Sequence, residues 1–186
     1  MLLDQAIRPD GDVGFGCVVD VETTGGSYAD EVIELAAVLF AYDRKRGTVL
    51  GVVDEYVGLR EPGVPINPFA YRVHRLSLDQ LRGHRLDYDR VESILLRAEF
   101  IIAHNASFDR RFVSALSETA REKAWLCSMR GIDWAGKGYR SRKLSDLLAE
   151  HGLERERAHR ALDDVRATLA LLGVRHQQGT YLQELL

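Results

Sequence analysis

Between Phe15 and Leu59 the chain carries three apolar, β-prone runs, separated by a glycine break and a polar stretch. Phe15–Glu22 is rich in valine, Val32–Tyr42 is almost wholly apolar, and Thr48–Leu59 is again valine-rich. Gly25 and Gly26 break the chain at Thr23–Ser27, and the polar stretch Asp43–Gly47 reads as a hairpin turn. Three successive strands therefore open the molecule.

Helices enter later. Pro62, Pro65 and Pro68 mark a loop, and Ser77 with Gln80 matches a capping box for a short helix. Val91, Ile94, Leu95 and Ala98 recur at helical spacing within Tyr88–Ala98. Phe100–Ala103 is a buried-strand candidate, Phe108–Leu116 a following helix, and Trp125–Met129 a fifth strand. Lys143–His151 reads as a helix closed by Gly152. Leu162, Val165, Leu169 and Leu172 trace one face of a last helix, and the closing YLQELL is left to fray, pack on the sheet or bind a partner, the first two being the expectation. Strands first, then strands alternating with helices, give an α/β layer architecture. With no repeat or linker, 186 residues suit one domain, 15–186, after an N-terminal tail of residues 1–14.

Composition removes several function classes. Apolar residues make up 46% and charged ones 28%, which excludes wholesale disorder. Cys17 and Cys127 are far apart and outside any CxxC, so a disulfide scaffold and a structural zinc site are both excluded, and reduced, cytoplasmic thiols are expected. The longest apolar run, Leu35–Tyr42, has eight residues and cannot cross a bilayer, and the acids and proline of MLLDQAIRPDGDVG do not suit a signal peptide. A net charge of −3 gives no overall basic footprint, although only four of the 25 basic residues are lysines. Guanidinium suits bidentate phosphate contacts, but genome composition produces the same bias.

Three groups of acids carry the chemistry. Asp20 and Glu22, inside VVDVETTG, lie two apart on a strand and point to one face while Val21 faces the other. Two acids side by side repel each other, and burying them is costly unless something neutralises them. HNASFD, residues 104 to 109, follows the apolar FIIA run and puts Asp109 near a helix start at the exposed end of the sheet, with Asn105 placed to brace the turn. HRALDD, residues 159 to 164, opens the last helix. There Asp164 is the acid expected to point inward, and Asp163 the one expected to be solvated or to serve the helix dipole.

Each group has a bland explanation alone; together and in this order they resemble the DEDDh exonuclease family, over about Phe15 to Leu172. The resemblance implies a ribonuclease H-like fold, a mixed five-stranded sheet flanked by helices, and 3′→5′ removal of nucleotides from single-stranded ends. It further implies that Asp20, Glu22, Asp109 and Asp164 are metal-binding carboxylates and that His159 is the general base. Hard oxygen ligands without cysteine favour two Mg²⁺ or Mn²⁺ ions over zinc. Such a pair clamps the attacking and leaving oxygens of an in-line displacement at phosphorus, and an imidazole can take the water's proton near neutrality.

By the same resemblance the turn Thr23-Thr24-Gly25 holds the terminal nucleotide, and PFAYRVH (68 to 74) is similar to a family loop whose histidine, here His74, contacts it. Asn105 joins these as a substrate-side residue. Phe69 replaces an acid of the polymerase subunit in the family, and suits either base stacking or core packing. KGYRSRK, residues 137 to 143, sets four cations around one tyrosine, as in a solvated loop or a single-strand track. The expected partner is a single-stranded DNA 3′ end, with an RNA exonuclease as the rival. A non-catalytic end-binding or polymerase-accessory module would lack a ligand or the base, and none is lacking. The chain stops at Leu186 without the tail that joins the family's proofreading subunit to its polymerase, so partnership with a replicative polymerase is not expected, while a free-standing repair or RNA-trimming role stays open. Homodimer and monomer both stay open.

Overall fold

A computed structural model describes residues 12 to 186. The three opening runs form β1 (Val13–Thr23), β2 (Val32–Asp43) and β3 (Thr48–Leu59), joined as antiparallel neighbours. The expected tail, residues 1–14, lies mostly outside the described residues, and Val13 and Gly14 already belong to β1. Next come helices α1 (Pro68–His74), α2 (Leu78–Leu81) and α3 (Tyr88–Arg97). Strand β4 (Phe100–Ala103) then leads into α4 (Ala106–Leu116) and α5 (Glu118–Glu122). Strand β5 (Ala124–Cys127) is followed by α6 (Ser128–Gly131), α7 (Leu144–Glu150) and α8 (Ala161–Leu172). A two-residue hairpin, β6 (Arg175–His176) and β7 (Gly179–Thr180), precedes α9 (Tyr181–Leu185).

The sheet order is β3-β2-β1-β4-β5, with β4 and β5 parallel to β1. It is the expected mixed five-stranded sheet. Alternation along the strands divides the core in two. Cys17, Val19 and Val21 pack with Leu35, Ala37 and Leu39 against α3 and α4. Val18, Ala36, Val38 and Phe40 face Val165, Leu169 and Leu172 of α8, with Leu147 of α7 and Leu182 of α9. Residues of even number on β1 therefore look toward α8, and that parity sends Asp20 and Glu22 to the α8 side.

Two segments depart from expectation. Pro68 was assigned to a loop but starts α1: the Asn67 carboxamide accepts the Phe69 N–H at 2.8 Å, and proline fits the first helical turn, where its missing N–H is not needed. The fifth strand ends at Cys127, before the expected Met129, because the Met129 N–H donates to the His104 carbonyl at 3.0 Å and turns the chain into α6. The closing segment packs: Tyr181 and Leu182 are buried. Both cysteines are free. Among the described residues no helix is long and apolar enough to cross a membrane.

Ile102, fully buried on β4 beside β1, is central to the α8-side core. Ile102→Ala should cost about 2–5 kcal/mol of unfolding free energy by urea denaturation, through lost burial and the cavity left behind. A loss below about 1 kcal/mol would mean that this core repacks freely.

Candidate active site

The sheet opens a cleft where β1 outruns its neighbour. The β1–β4 ladder covers Gly16 to Val18, whereas β2 accompanies β1 as far as Thr23. Beyond Val18 the chain of β4 turns away through His104 and Asn105 into α4. The space beside Asp20–Glu22 is then filled by the first turn of α4 on one side and that of α8 on the other. The Val21 N–H, with no strand partner there, donates to Asp109 Oδ1 at 3.2 Å. That bond ties α4 to β1.

The resulting cleft, of about 570 Å³, is lined by Asp20, Glu22, Asp109, Asp164 and His159 together with Asn105. The three remote motifs meet there. Ligating atoms of Glu22, His159 and Asp164 lie within 4.8 Å of one another. His159 is exposed at the mouth and adopts a left-handed backbone, φ 59°, just before α8 begins.

Like charges crowd this space. Burial, then the carboxylates of Asp109, Glu22 and Asp164, push the Asp20 carboxyl well above its ordinary range. Burial, then Asp164, Glu34 and Asp109, raise Glu22 to about 9, with Arg160 opposing. Burial lifts Asp109 to about 7 against the Val21 hydrogen bond. Asp164 is raised by burial and held down by Arg155. The donor set is oxygen plus one imidazole, and the crowding removes itself once cations share it. The residues thus fit a site for hard divalent ions.

Two cations that sequence reasoning missed manage the surplus charge. Arg155 Nη1 donates to Asp164 Oδ1 at 2.6 Å inside the cleft. Arg160 donates from Nε and Nη2 to Glu34, a residue 1% exposed on β2 directly opposite Glu22. The second Glu34 oxygen accepts the Ala161 N–H at 3.0 Å, so this carboxylate caps α8 and fixes the chain just after His159. A lone glutamate within the apolar run VIELAAVLFAY was its signal, since a charge there demands a partner.

A second lobe shares Val21, Glu22 and Phe108 with the first and extends past Thr23, Gly25, Phe69 and His74, with a volume of about 370 Å³. His74 is 4% exposed; its Nδ1 accepts the Leu76 N–H at 3.0 Å, and its Nε2 has no hydrogen-bond partner among the described residues. Burial lowers the pKa of this imidazole. Phe69 is 73% exposed, which removes core packing as its role.

The turn departs from expectation in detail. The Thr23 hydroxyl donates to the Gly25 carbonyl at 2.6 Å, and the Thr24 hydroxyl donates to Asp30 and accepts the Glu31 N–H, so both are occupied within the turn. Thr24 is fully buried and lines neither lobe. A Cβ at Gly25 would meet the Asp30 carboxylate at 2.7 Å, so a larger residue there must displace that side chain from the turn. Asn105 lines the acidic lobe as the residue that starts α4, its Oδ1 accepting the Ser107 hydroxyl at 3.2 Å. Asp163, expected to be solvated or to serve the helix dipole, stands in the first turn of α8, is 7% exposed and accepts from Arg157 at 3.2 Å. α8 is buried on most sides, so this acid outside the cleft also needs a counter-charge.

The sequence profile of the RNase T exonuclease family matches residues 17–172. The chain belongs to this exonuclease family, whose members hydrolyse phosphodiester bonds. The DEDDh resemblance is thereby borne out. The chain is 31% identical over 174 residues to the PolC-type DNA polymerase III of Thermotoga maritima, covering 85% of this chain and 11% of that protein. It is 30% identical over 163 residues to the DNA polymerase III epsilon subunit of Treponema pallidum, covering 82% of this chain and 72% of that one. Among solved structures, the zinc-bound Escherichia coli exonuclease I–single-stranded DNA complex superposes with a TM-score of 0.67 at 20% identity. It covers 86% of this chain and 40% of that chain, and shows the shared fold.

The raised carboxyls set a pH dependence for the metal-free protein. A carboxyl that titrates higher folded than unfolded stabilises the fold below its unfolded pKa, and that contribution is lost as pH rises through the folded value. In chelator, stability should therefore fall as pH increases from the ordinary carboxylate range toward about 9, the Glu22 value. Thermal melts at pH 5.5 and 8.5 read this directly. A melting temperature equal or higher at pH 8.5 would contradict the crowding.

Proposed function

We propose that the chain is a 3′→5′ exonuclease that releases nucleotides from single-stranded DNA ends, using two divalent cations, Mg²⁺ or Mn²⁺, held by Asp20, Glu22, Asp109 and Asp164. The observation that carries this reading is the meeting of these acids and His159 in one cleft at the end of β1. Bound there, the ions would supply Lewis-acid stabilisation of charge on the phosphoryl oxygens and a more acidic water.

The chain's own residues do the rest. The lobe bounded by Gly25, Phe69 and His74 takes the terminal nucleotide and sets the next phosphodiester over the carboxylates. His74 lines that lobe beside the Thr23 backbone, its Nδ1 held by the Leu76 N–H, and shapes the wall against which the terminal nucleotide sits. His159, at the mouth and within reach of Glu22 and Asp164, receives the proton of the attacking water and passes it to solvent. Phe69 presents an open ring face for a base, a contact worth about 1–3 kcal/mol in single-strand binders. DNA is the preferred substrate on the strength of the relatives, a polymerase III epsilon subunit and a single-stranded DNA complex of exonuclease I.

The test is side-by-side digestion of 3′-labelled DNA and RNA oligomers of one sequence, with Mg²⁺, with Mn²⁺ and with chelator. Shortening of DNA from the 3′ end that stops in chelator is expected; equal or faster turnover of RNA would reverse the substrate preference. Loss of an outer partner of a metal ligand typically costs 10–100-fold, so Asp109→Ala should cost more than about a hundredfold while the folded circular dichroism spectrum persists. Undiminished activity would remove Asp109 from the site.

A further inference from the structure

The basic stretch 137–143 takes no part in the chemistry above, yet its last residue, Lys143, lines the acidic lobe. The two lobes share Glu22; one is lined by Phe69 and His74, and the other by Asp109, Asp164, Lys143 and Ser145, of which Lys143 and Ser145 line no part of the first. A strand with its last unit in the first lobe that crosses the carboxylates can leave over Lys143. We propose that Arg140, Arg142 and Lys143 form a rail for the phosphodiester backbone of the strand upstream of the cleavage point. The proposal rests on the exonuclease reading above.

Three observations support it. Arg140, Arg142 and Lys143 are exposed, and neither arginine makes an ion pair among the described residues. Lys137, the fourth cation, is spent on Glu184 at 2.7 Å and stands apart from the rail.

The segment is also anchored at both ends. Tyr139 does not interleave with the cations as a stacking ring. Its ring stacks on His151 at 5.0 Å and lies edge-on to Trp134, and its hydroxyl bonds His151 Nε2 at 2.9 Å and Tyr181 at 3.1 Å. At the other end, His104 Nε2 donates to the Arg142 carbonyl at 2.8 Å. A carbonyl only accepts, so Nε2 carries the ring proton and Nδ1 accepts the Ser128 hydroxyl at 2.9 Å. The motif that supplies Asp109 to the acids thus supplies His104 to the cations. Guanidinium groups on an anchored backbone meet phosphate with less ordering cost than the same groups on a free loop.

The third observation is electrostatic. Four crowded carboxylates repel a polyanion, and an unpaired basic rim beside them gives an approaching strand a favourable path.

The test uses the full chain and its Arg140→Ala/Arg142→Ala variant. Binding of a fluorescent single-stranded DNA 20-mer in chelator is followed by anisotropy against salt. Loss of two phosphate contacts should flatten the slope of log K against log salt by about 1.4, at about 0.7 per contact. In Mg²⁺, the ratio of kcat/KM for the 20-mer to that for the p-nitrophenyl ester of thymidine 5′-monophosphate should fall tenfold or more, mostly through KM. The ester is too short to reach the segment, so its hydrolysis reports the carboxylate site alone. An unchanged salt slope and ratio would overturn the rail, as would a parallel loss on both substrates. Failure of the wild-type chain to shorten 3′ ends would instead count against the exonuclease reading, since the binding slope is measured without catalysis.

Discussion

Mutual repulsion among buried carboxylates is the constraint around which this molecule is organised. Asp20, Glu22, Asp109 and Asp164 converge where positive charge is scarce; burial first and neighbouring carboxylates second raise Glu22 to about 9, and burial raises Asp109 to about 7. A fold selected for stability alone would not gather them. The cost is tolerable because the acids sit at the end of a sheet whose centre is packed on both faces. Cys17, Val18 and Val19, all but fully buried, anchor the strand that carries Asp20 and Glu22.

The surrounding structure holds the acids together by specific bonds. The Val21 N–H to Asp109 bond exists because β1 runs past the end of its β4 ladder. Glu34 opposite Glu22 deepens the repulsion, Arg160 and the first N–H of α8 offset part of it, and that arrangement ties the start of α8, two residues after His159, to the strand position opposite Glu22. Arg155 supplies a partial counter-charge to Asp164. Breaking a buried ion pair of this kind typically costs about 3–5 kcal/mol, so these contacts belong to the site as much as its acids do.

Most of this was legible in the residues. Parity along β1 put Asp20 and Glu22 on one face, helical rotation separated Asp164 from Asp163, and apolar periodicity located β4, α3 and α8. Less legible were features that depend on distant partners. The burial of Asp163 follows from how deeply α8 sinks between the sheet and its neighbours, which no local pattern states. The hydroxyls of Thr23 and Thr24 are consumed by a turn closed on Asp30 and Glu31, where their spacing alone suggested substrate contact. Arg155 and Arg160 sit among many arginines, and only the fold singles out Arg155, which lines the cleft, and Arg160, which pairs with Glu34 opposite Glu22. α1 was missed because three prolines were read as loop punctuation, although Asn67-Pro68 is itself a helix-start signal.

Whether cations complete the cleft is decided most directly by titrating Mn²⁺ into the chelator-stripped chain and counting bound ions by calorimetry or electron paramagnetic resonance. Convergence of the four carboxylates predicts two saturable ions per chain, with both weakened by Asp20→Asn in a variant that stays folded. No saturable binding, or binding that Asp20→Asn leaves untouched, would contradict it.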